Sequence, residues 1–447
     1  MEIEICAVSG YSEVGKNMTA VKAGNEVVII DMGVSIQDLI EYEREKEGNS
    51  AKTLDVDDLI RIKAIPDDRK IEDWAPLVKA IVLGHAHYDH IAAVAFLAEK
   101  YKCQIIGSSF TIEVLKSILR DDDIKIPNKF LIARLNEKIK ISENITIELI
   151  SISHSTLQCA LVAVHTPEGT VLYANDFKLD STPVIGEKPN YKRLKQLGEG
   201  GNLLVLISES MNAGIDGKTP SERVAREMLK DVLFETGSKG KVIFLTTFAS
   251  NIARLKSAVE FGRKIGRKVV IMGRSMVKYV EAAERLGFVR FSKEAELAAF
   301  GSYRRRKLKE IGRKREKYLV ITTGSQGEPG SVLDKIVNNQ LPFNFHEGDI
   351  VIFSCRTIPV AMNIANREKL ESQLREHKVR MFMGIHASGH AAAEDLRELI
   401  MLTKPKHIIP SQGDLKAETS LTKIAEECGY KMGESVHILN DGDRIKF

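Results

Sequence analysis

A chain of 447 residues is too long for one compact core, so two or three structural units are expected. With 43% hydrophobic and 28% charged residues it reads as a soluble globular protein, with no apolar run of about 18 residues to span a membrane and no secretory leader in MEIEICAVSG. Five cysteines without CxxC spacing argue against a disulfide framework and for a reducing cytoplasm, and a net charge of +4 is only weak support for a polyanionic partner.

Residues 2–8 and 26–31 (EVVIID) are short apolar runs bounded by Gly, Asn and Ser, and read as strands. VKAIVLG at 78–84 is a buried strand that runs directly into His85, and IAAVAFLAEKYK at 91–102 has helical periodicity. QIIGSS, KIKI, TIELISI, LVAVHT and TVLYAND add strands with turn residues between them. A second pattern begins near residue 203. The strand LLVLISES precedes a helix, SERVAREMLKDVLFE, with Ser221 as its N-cap. Then KVIFLTTF, KVVIMG, YLVITTG and DIVIFSC alternate with helices such as NIARLKSAVEFGRKIG, the mark of a parallel α/β unit. After it, RMFMGIHASGH, HIIPSQGD and SVHILNDGDRIKF return to a strand-rich pattern. One domain inserted into another explains this order, with boundaries at 1–208, 209–373 and 374–447.

The strongest local signal is HAHYDH at 85–90. His85 and His87 are two apart, so on an extended segment both side chains point the same way, and Asp89 and His90 follow at the turn into a helix. Four ligand-type side chains in six residues suit one or two small cations, Zn²⁺ first and Mn²⁺ or Fe²⁺ after it. His154 in SISHSTLQ and Asp176 in LYANDFKLD, each at a strand end, complete the candidate ligand set. Asp31, closing VVIID, is placed to orient a ligand histidine from behind. The stretch 303–317, YRRRKLKEIGRKREK, carries nine Lys or Arg against two Glu. It reads either as a solvated helix face or as a patch that contacts phosphates without sequence preference.

Asp31, HAHYDH, His154 and Asp176 resemble, in order and strand context, the metallo-β-lactamase superfamily. SESMNA (208–213), TTFASN (246–251), GRSM (273–276), TTGSQGEP (322–329), FSCRTIP (353–359) and HASGHA (386–391) resemble the blocks of the β-CASP nucleases, in particular the ribonuclease J family in its short, archaeal-type form without a further C-terminal domain. YSEVGKNM at 11–18 and NDFKLDSTPV at 175–184 agree with this, so the resemblance runs end to end. It implies an αββα metallo-β-lactamase sandwich with an inserted parallel α/β β-CASP domain. It implies an exoribonuclease working mainly 5′→3′ on single-stranded RNA with a 5′-monophosphate, endonuclease action being compatible, in the RNA processing and decay of the cytoplasm. No membrane partner is implied, and a homodimer is compatible.

The resemblance also implies roles. His85, His87, His154 and Asp176 hold one metal, and Asp89, His90 and Asp176 a second, Zn²⁺ or alternatively Mn²⁺. His390 acts on the leaving 3′-oxygen with Glu209 beside it, and Asp89 belongs to the catalytic set. His386, Ser388 and Gly389 seat the terminal 5′-phosphate, with Thr323, Gly324 and Ser325 adding to the RNA path. One position departs from the family: Gln412, in PSQG, stands where a metal-binding histidine is usual, so the second metal is expected to be held weakly. Two other readings stand beside this one. A small-molecule hydrolase on the same scaffold is disfavoured by the long insertion, and an RNA-binding protein with a decayed metal site by the intact HAHYDH, His154 and Asp176.

Overall fold

The computed structural model describes residues 2–45 and 54–447. Two compact units emerge. One comprises the chain up to Ser181, Gly186–Thr219 and Gly389–Phe447; the other comprises Thr182–Ile185 and Pro220–Ser388. The boundaries expected from the sequence, 208/209 and 373/374, therefore shift to 219/220 and 388/389. The physical reason at the first is that Leu203–Glu209 pairs with Gly169–Ala174 and His407–Ser411, which ties it to the first unit's sheet. At the second, Arg380–Phe382 pairs with Ile350–Phe353 and stays in the inserted unit's sheet.

The first unit contains two sheets. The seven-stranded one runs Arg444–Lys446, Ile3–Ser9, Met18–Ala23, Glu26–Ile30, Val78–Leu83, Gln104–Gly107, Phe130–Ile132. The six-stranded one runs His407–Ser411, Leu203–Glu209, Gly169–Ala174, Ala160–Thr166, Thr146–Ser151, Lys138–Lys140. Side chains of a strand alternate between faces, and here every second residue enters one shared core: Ile3, Ile5 and Ala7; Val28 and Ile30; Ile147 and Leu149; Val205 and Ile207. The intervening residues of the second sheet, such as Leu161, Ala163, Leu172 and Leu206, meet the helices Tyr191–Glu199, Ala393–Thr403 and Leu415–Glu427 through Leu194, Leu399 and Leu421. Both faces of the central strands are thus covered, which is why those strands are continuously apolar. The last two helices were not anticipated in the strand-rich reading of the C-terminal part.

The expected helix at 91–102 is broken into short turns, Tyr88–Ile91, Val94–Leu97 and Ala98–Lys100. The Asp89 and His90 carbonyls accept from the backbone N–H groups of Asn17 and Met32, and the Ala93 N–H turns to the Met32 carbonyl. The i→i−4 ladder is diverted there into neighbouring loops, so apolar periodicity alone does not sustain a helix.

The inserted unit is a six-stranded, wholly parallel sheet in the order Glu296–Ala298, Lys268–Met272, Tyr318–Thr322, Ile243–Thr246, Ile350–Phe353, Arg380–Phe382. Helices connect the strands, and Ser221 caps Glu222–Glu235 by accepting from the Arg223 N–H. The basic stretch is a helix, Gly301–Arg313, followed by the turn Arg315–Lys317. Part of its charge is used internally: Lys307 pairs with Glu296 and Glu310, and Arg315 with Asp349. Arg305, Arg306, Lys309, Arg313 and Lys317 remain exposed. Among the described residues no helix is long and apolar enough to cross a membrane.

Candidate metal centre and active site

Strand direction gathers the site. Leu203–Glu209 runs parallel to both Gly169–Ala174 and His407–Ser411, so the chain ends bearing Asp176, Glu209 and Gln412 lie side by side. In the other sheet Glu26–Ile30 runs parallel to Val78–Leu83, which brings Asp31 beside 84–90. The Ala160 N–H donates to the Gly84 carbonyl and links the two sheets at this edge. Carboxyl ends of parallel strands are where ligands bind in such folds. Three residues here, Asp31, Asp176 and Gln412, take left-handed backbone angles of +60°, +53° and +48°. Non-glycine residues held there cost about 1–3 kcal/mol each, strain that collects where function needs a side chain aimed.

His85, His87, His154 and Asp176 each turn one donor atom into a common point, all within 4.8 Å of one another. His87 Nδ1 is 3.0 Å from His85 Nε2 and 3.1 Å from His154 Nε2, and Asp176 Oδ2 is 3.4 Å from His85 Nε2 and 3.6 Å from His154 Nε2. His154 Nδ1 lies 2.7 Å from the Gly389 carbonyl, which can only accept, so the proton is on Nδ1 and the Nε2 lone pair faces the cluster. Burial, assisted by neighbouring imidazoles, pushes His85 and His154 down, and His87 down to about 3. Three imidazoles, each with a ring nitrogen turned to one carboxylate-bearing point, form a donor set that suits a divalent cation such as Zn²⁺.

Next to it, Asp89, His90 and Asp176 make a second group sharing Asp176. His90 Nε2 is 3.4 Å from Asp89 Oδ2 and 3.3 Å from Asp176 Oδ2. His90 Nδ1 is 2.7 Å from Asp31 Oδ2, while the Gly84 N–H donates to Asp31 Oδ1 at 2.8 Å, so Asp31 does sit behind a histidine of HAHYDH. Burial lowers His90, but the surrounding Asp89, Asp176 and Asp31 carboxylates override it and raise it well above the usual imidazole range. Burial likewise opposes ionisation of Asp89, yet His90 brings it down to about 2. Gln412, fully buried, enters this group through its side-chain amide.

The third group is Asp176, Glu209 and His390. Glu209, fully buried, ends its strand with Oε2 2.7 Å from His390 Nδ1, and its Oε1 accepts from the Phe177 N–H at 2.7 Å. His390 Nδ1 is also 3.8 Å from Asp176 Oδ1. Burial disfavours the charged ring, but the Glu209 and Asp176 carboxylates dominate and hold His390 up at about 9. The structure thus brings together His85, His87, Asp89, His90, His154, Asp176, Glu209, His390 and Asp31. Thr323, Gly324 and Ser325 follow the strand Tyr318–Thr322 in the inserted unit, where the Ser325 carbonyl accepts from Arg367. His386 and Ser388 end that unit, and Gly389 opens the return to the first.

Sequence reasoning missed several supporting groups. Asn17 donates through its amide to the Asp89 carbonyl at 3.1 Å and lies 3.2 Å from His90 Nε2. The Gly15 N–H donates to Gln412, and any Cβ on Gly33 would fall 1.6 Å from the Asp89 carbonyl oxygen. The block YSEVGKNM contained the first two, but nothing in its letters said what they touch. Gly389, expected only at a phosphate, carries the carbonyl that orients His154; a Cβ there would lie 2.8 Å from the His154 ring. Gly389→Ala is therefore expected to weaken Zn²⁺ binding about 10–100-fold, the usual cost of disturbing a group behind a metal ligand. Competition titration with a chromogenic chelator measures it, and unchanged affinity would mean that the placing of His154 by Gly389 does not matter to the metal.

Three family descriptions match the chain: a beta-lactamase superfamily domain over residues 62–189, the beta-CASP domain of ribonuclease J over 239–369, and a Zn-dependent metallo-hydrolase RNA specificity domain over 377–438. The ribonuclease J of Methanocaldococcus jannaschii is 41% identical over 100% of this chain and 99% of its own, and that of Pyrococcus abyssi 41% identical over 99% and 97%. The chain belongs to the ribonuclease J family. The fold is accordingly a metallo-β-lactamase domain with a β-CASP domain, as the sequence implied. A crystal structure of a protein of unknown function from Enterococcus faecalis V583 shares the fold with a TM-score of 0.69 over 100% of both chains, at 18% identity. Membership of the ribonuclease J family makes the chain a hydrolase of the metallo-β-lactamase superfamily whose histidine–aspartate cluster is its candidate metal site.

Proposed function

We propose that this protein degrades single-stranded RNA in the cytoplasm, mainly 5′→3′ and preferring a 5′-monophosphate end, with Zn²⁺ held by His85, His87, His154 and Asp176. The observation that supports this reading most directly is the convergence of those four donors beside the His390–Glu209 pair. When bound, the cation would supply Lewis acidity toward water and toward the phosphoryl oxygens. Everything else is done by the chain. Asp176 Oδ2 faces His85 and His154, and its Oδ1 lies toward His390. Glu209 holds His390 by Nδ1, which leaves Nε2 as the atom that carries a proton to the leaving 3′-oxygen. The product then bears a 5′-monophosphate and can re-enter as the next substrate end.

Direction requires a group that recognises the chain end. Residues 386–388 are small or hydrogen-bonding, and they lead directly into Gly389, which touches His154, and His390, which touches Glu209. In this reading a terminal monophosphate is recognised by His386, Ser388 and Gly389, and Thr323, Gly324 and Ser325 contact the RNA. A triphosphate is bulkier and more highly charged, and fits it poorly. The test is a time course on one RNA carrying either 5′ group, with products resolved by length. The monophosphate form is expected to disappear faster and to yield single nucleotides. Ser388→Phe is expected to erode that preference more than it reduces internal cutting. Equal rates with scattered internal fragments would overturn the end-recognition part of the proposal.

A further inference from the structure

The sequence led to an expectation of two cations, the second among Asp89, His90 and Asp176. Those residues do not fit that role here, because another side chain is already among them. The Gln412 amide nitrogen donates to Asp89 Oδ2 at 3.1 Å and to Asp176 Oδ1 at 3.2 Å, and stands 3.5 Å from His90 Nε2. Both protons of one NH₂ group are thus spent on the two carboxylates that would hold a second cation.

Which way round an amide sits is a choice between oxygen and nitrogen, and here a backbone group makes it. The Gly15 N–H, a donor with no other option, is 3.0 Å from the far end of the side chain, which must therefore be the oxygen. Turning the amide over to offer oxygen to a cation would set two donors against each other in a fully buried place. Nor is the side chain free to swing out. The Gln412 N–H donates to the Gly10 carbonyl at 2.8 Å, the backbone is pinned at a φ of +48°, and a Cβ on the following Gly413 would lie 2.2 Å from Ser210 Oγ. N–H protons aimed at this point repel a cation and already supply hydrogen bonds to both carboxylates.

We propose that this protein is mononuclear: it binds one divalent cation, at His85, His87, His154 and Asp176, and the Gln412 amide takes the place of a second. The proposal rests on the metal-site reading above but not on the identity of the substrate. The experiment is metal counting on the full chain, stripped with chelator, reloaded with excess Zn²⁺, dialysed against a weak competing chelator, and measured by plasma mass spectrometry. One equivalent per chain is expected for the wild type, and two for Gln412→His. Gln412→Glu, of the same size, replaces the NH₂ by a charged oxygen. Its thermal midpoint is expected to lie below that of the wild type in chelator and to rise on adding a second equivalent of Zn²⁺. Two equivalents in the wild type would overturn the proposal. So would a single equivalent in both variants, provided their circular dichroism matches the wild type, because Gln412 would then not be what excludes the cation. A wild type holding one equivalent but leaving RNA intact would sink the ribonuclease reading while supporting this count.

Discussion

His87→Ala is expected to lower RNA cleavage by at least about 10³-fold without unfolding the chain. His87 Nδ1 stands between His85 Nε2 and His154 Nε2, so its removal takes the central donor from the cluster. Losing the cation forfeits several kcal/mol of charge stabilisation, and each 1.36 kcal/mol is tenfold in rate. The fold has little to lose, because His87 lies outside the strands, at the start of the short turn Tyr88–Ile91. The adjoining Asp89 and His90 carbonyls keep their partners in Asn17 and Met32. Cleavage rate, bound metal and circular dichroism measured on the same preparation decide the matter. Wild-type turnover would remove His87 from the metal site, and a lost dichroism spectrum would assign it a structural role instead.

His390→Ala is expected to reduce the turnover number by about 10²–10⁴-fold, the range for removing a positioned proton donor, and to leave bound metal unchanged. The separation of these two readouts is what distinguishes it from His87→Ala. His390 contacts Glu209 at 2.7 Å and stays 3.8 Å from Asp176, so its removal deletes no donor from the His85–His87–His154–Asp176 cluster. Glu209→Gln should follow the same pattern with a smaller loss, because Gln retains a hydrogen-bonding end at His390 but not the charge that sustains the imidazolium. Loss of metal together with activity in His390→Ala would make the residue a ligand rather than a proton donor.

How much of this was legible beforehand depends on what kind of group does the work. HAHYDH was readable because its donors come from one short loop, where spacing in sequence is nearly spacing in space. His154, Asp176, Glu209 and His390 were readable as strand-end or motif residues once a resemblance ordered them. The carbonyl of Gly389 and the N–H groups of Gly15 and Gly84 were not, since every residue type carries the same backbone and the letter does not say where it points. Asn17 was inside a quoted block, but its contact with His90 spans 73 positions. The helix expected at 91–102 failed for a related reason: its periodicity was real, but the Asp89 and His90 carbonyls had partners outside the segment. The basic stretch at 303–317 read either as a solvated helix face or as a phosphate-contacting patch, and the internal pairing of Lys307 and Arg315 came from carboxylates at Glu296 and Asp349, beyond the window that motif reading covers.

In the proposed function the histidine–aspartate cluster holds a divalent cation on which RNA cleavage depends. The decisive experiment is degradation of a 5′-monophosphorylated, 3′-labelled RNA by the wild type, first stripped with chelator and then reloaded with Zn²⁺, with bound metal counted in each state. No cleavage is expected from the stripped protein, and restored cleavage, with metal on the chain, after reloading. Equal cleavage in both states, or intact RNA beside a fully loaded protein, would contradict it.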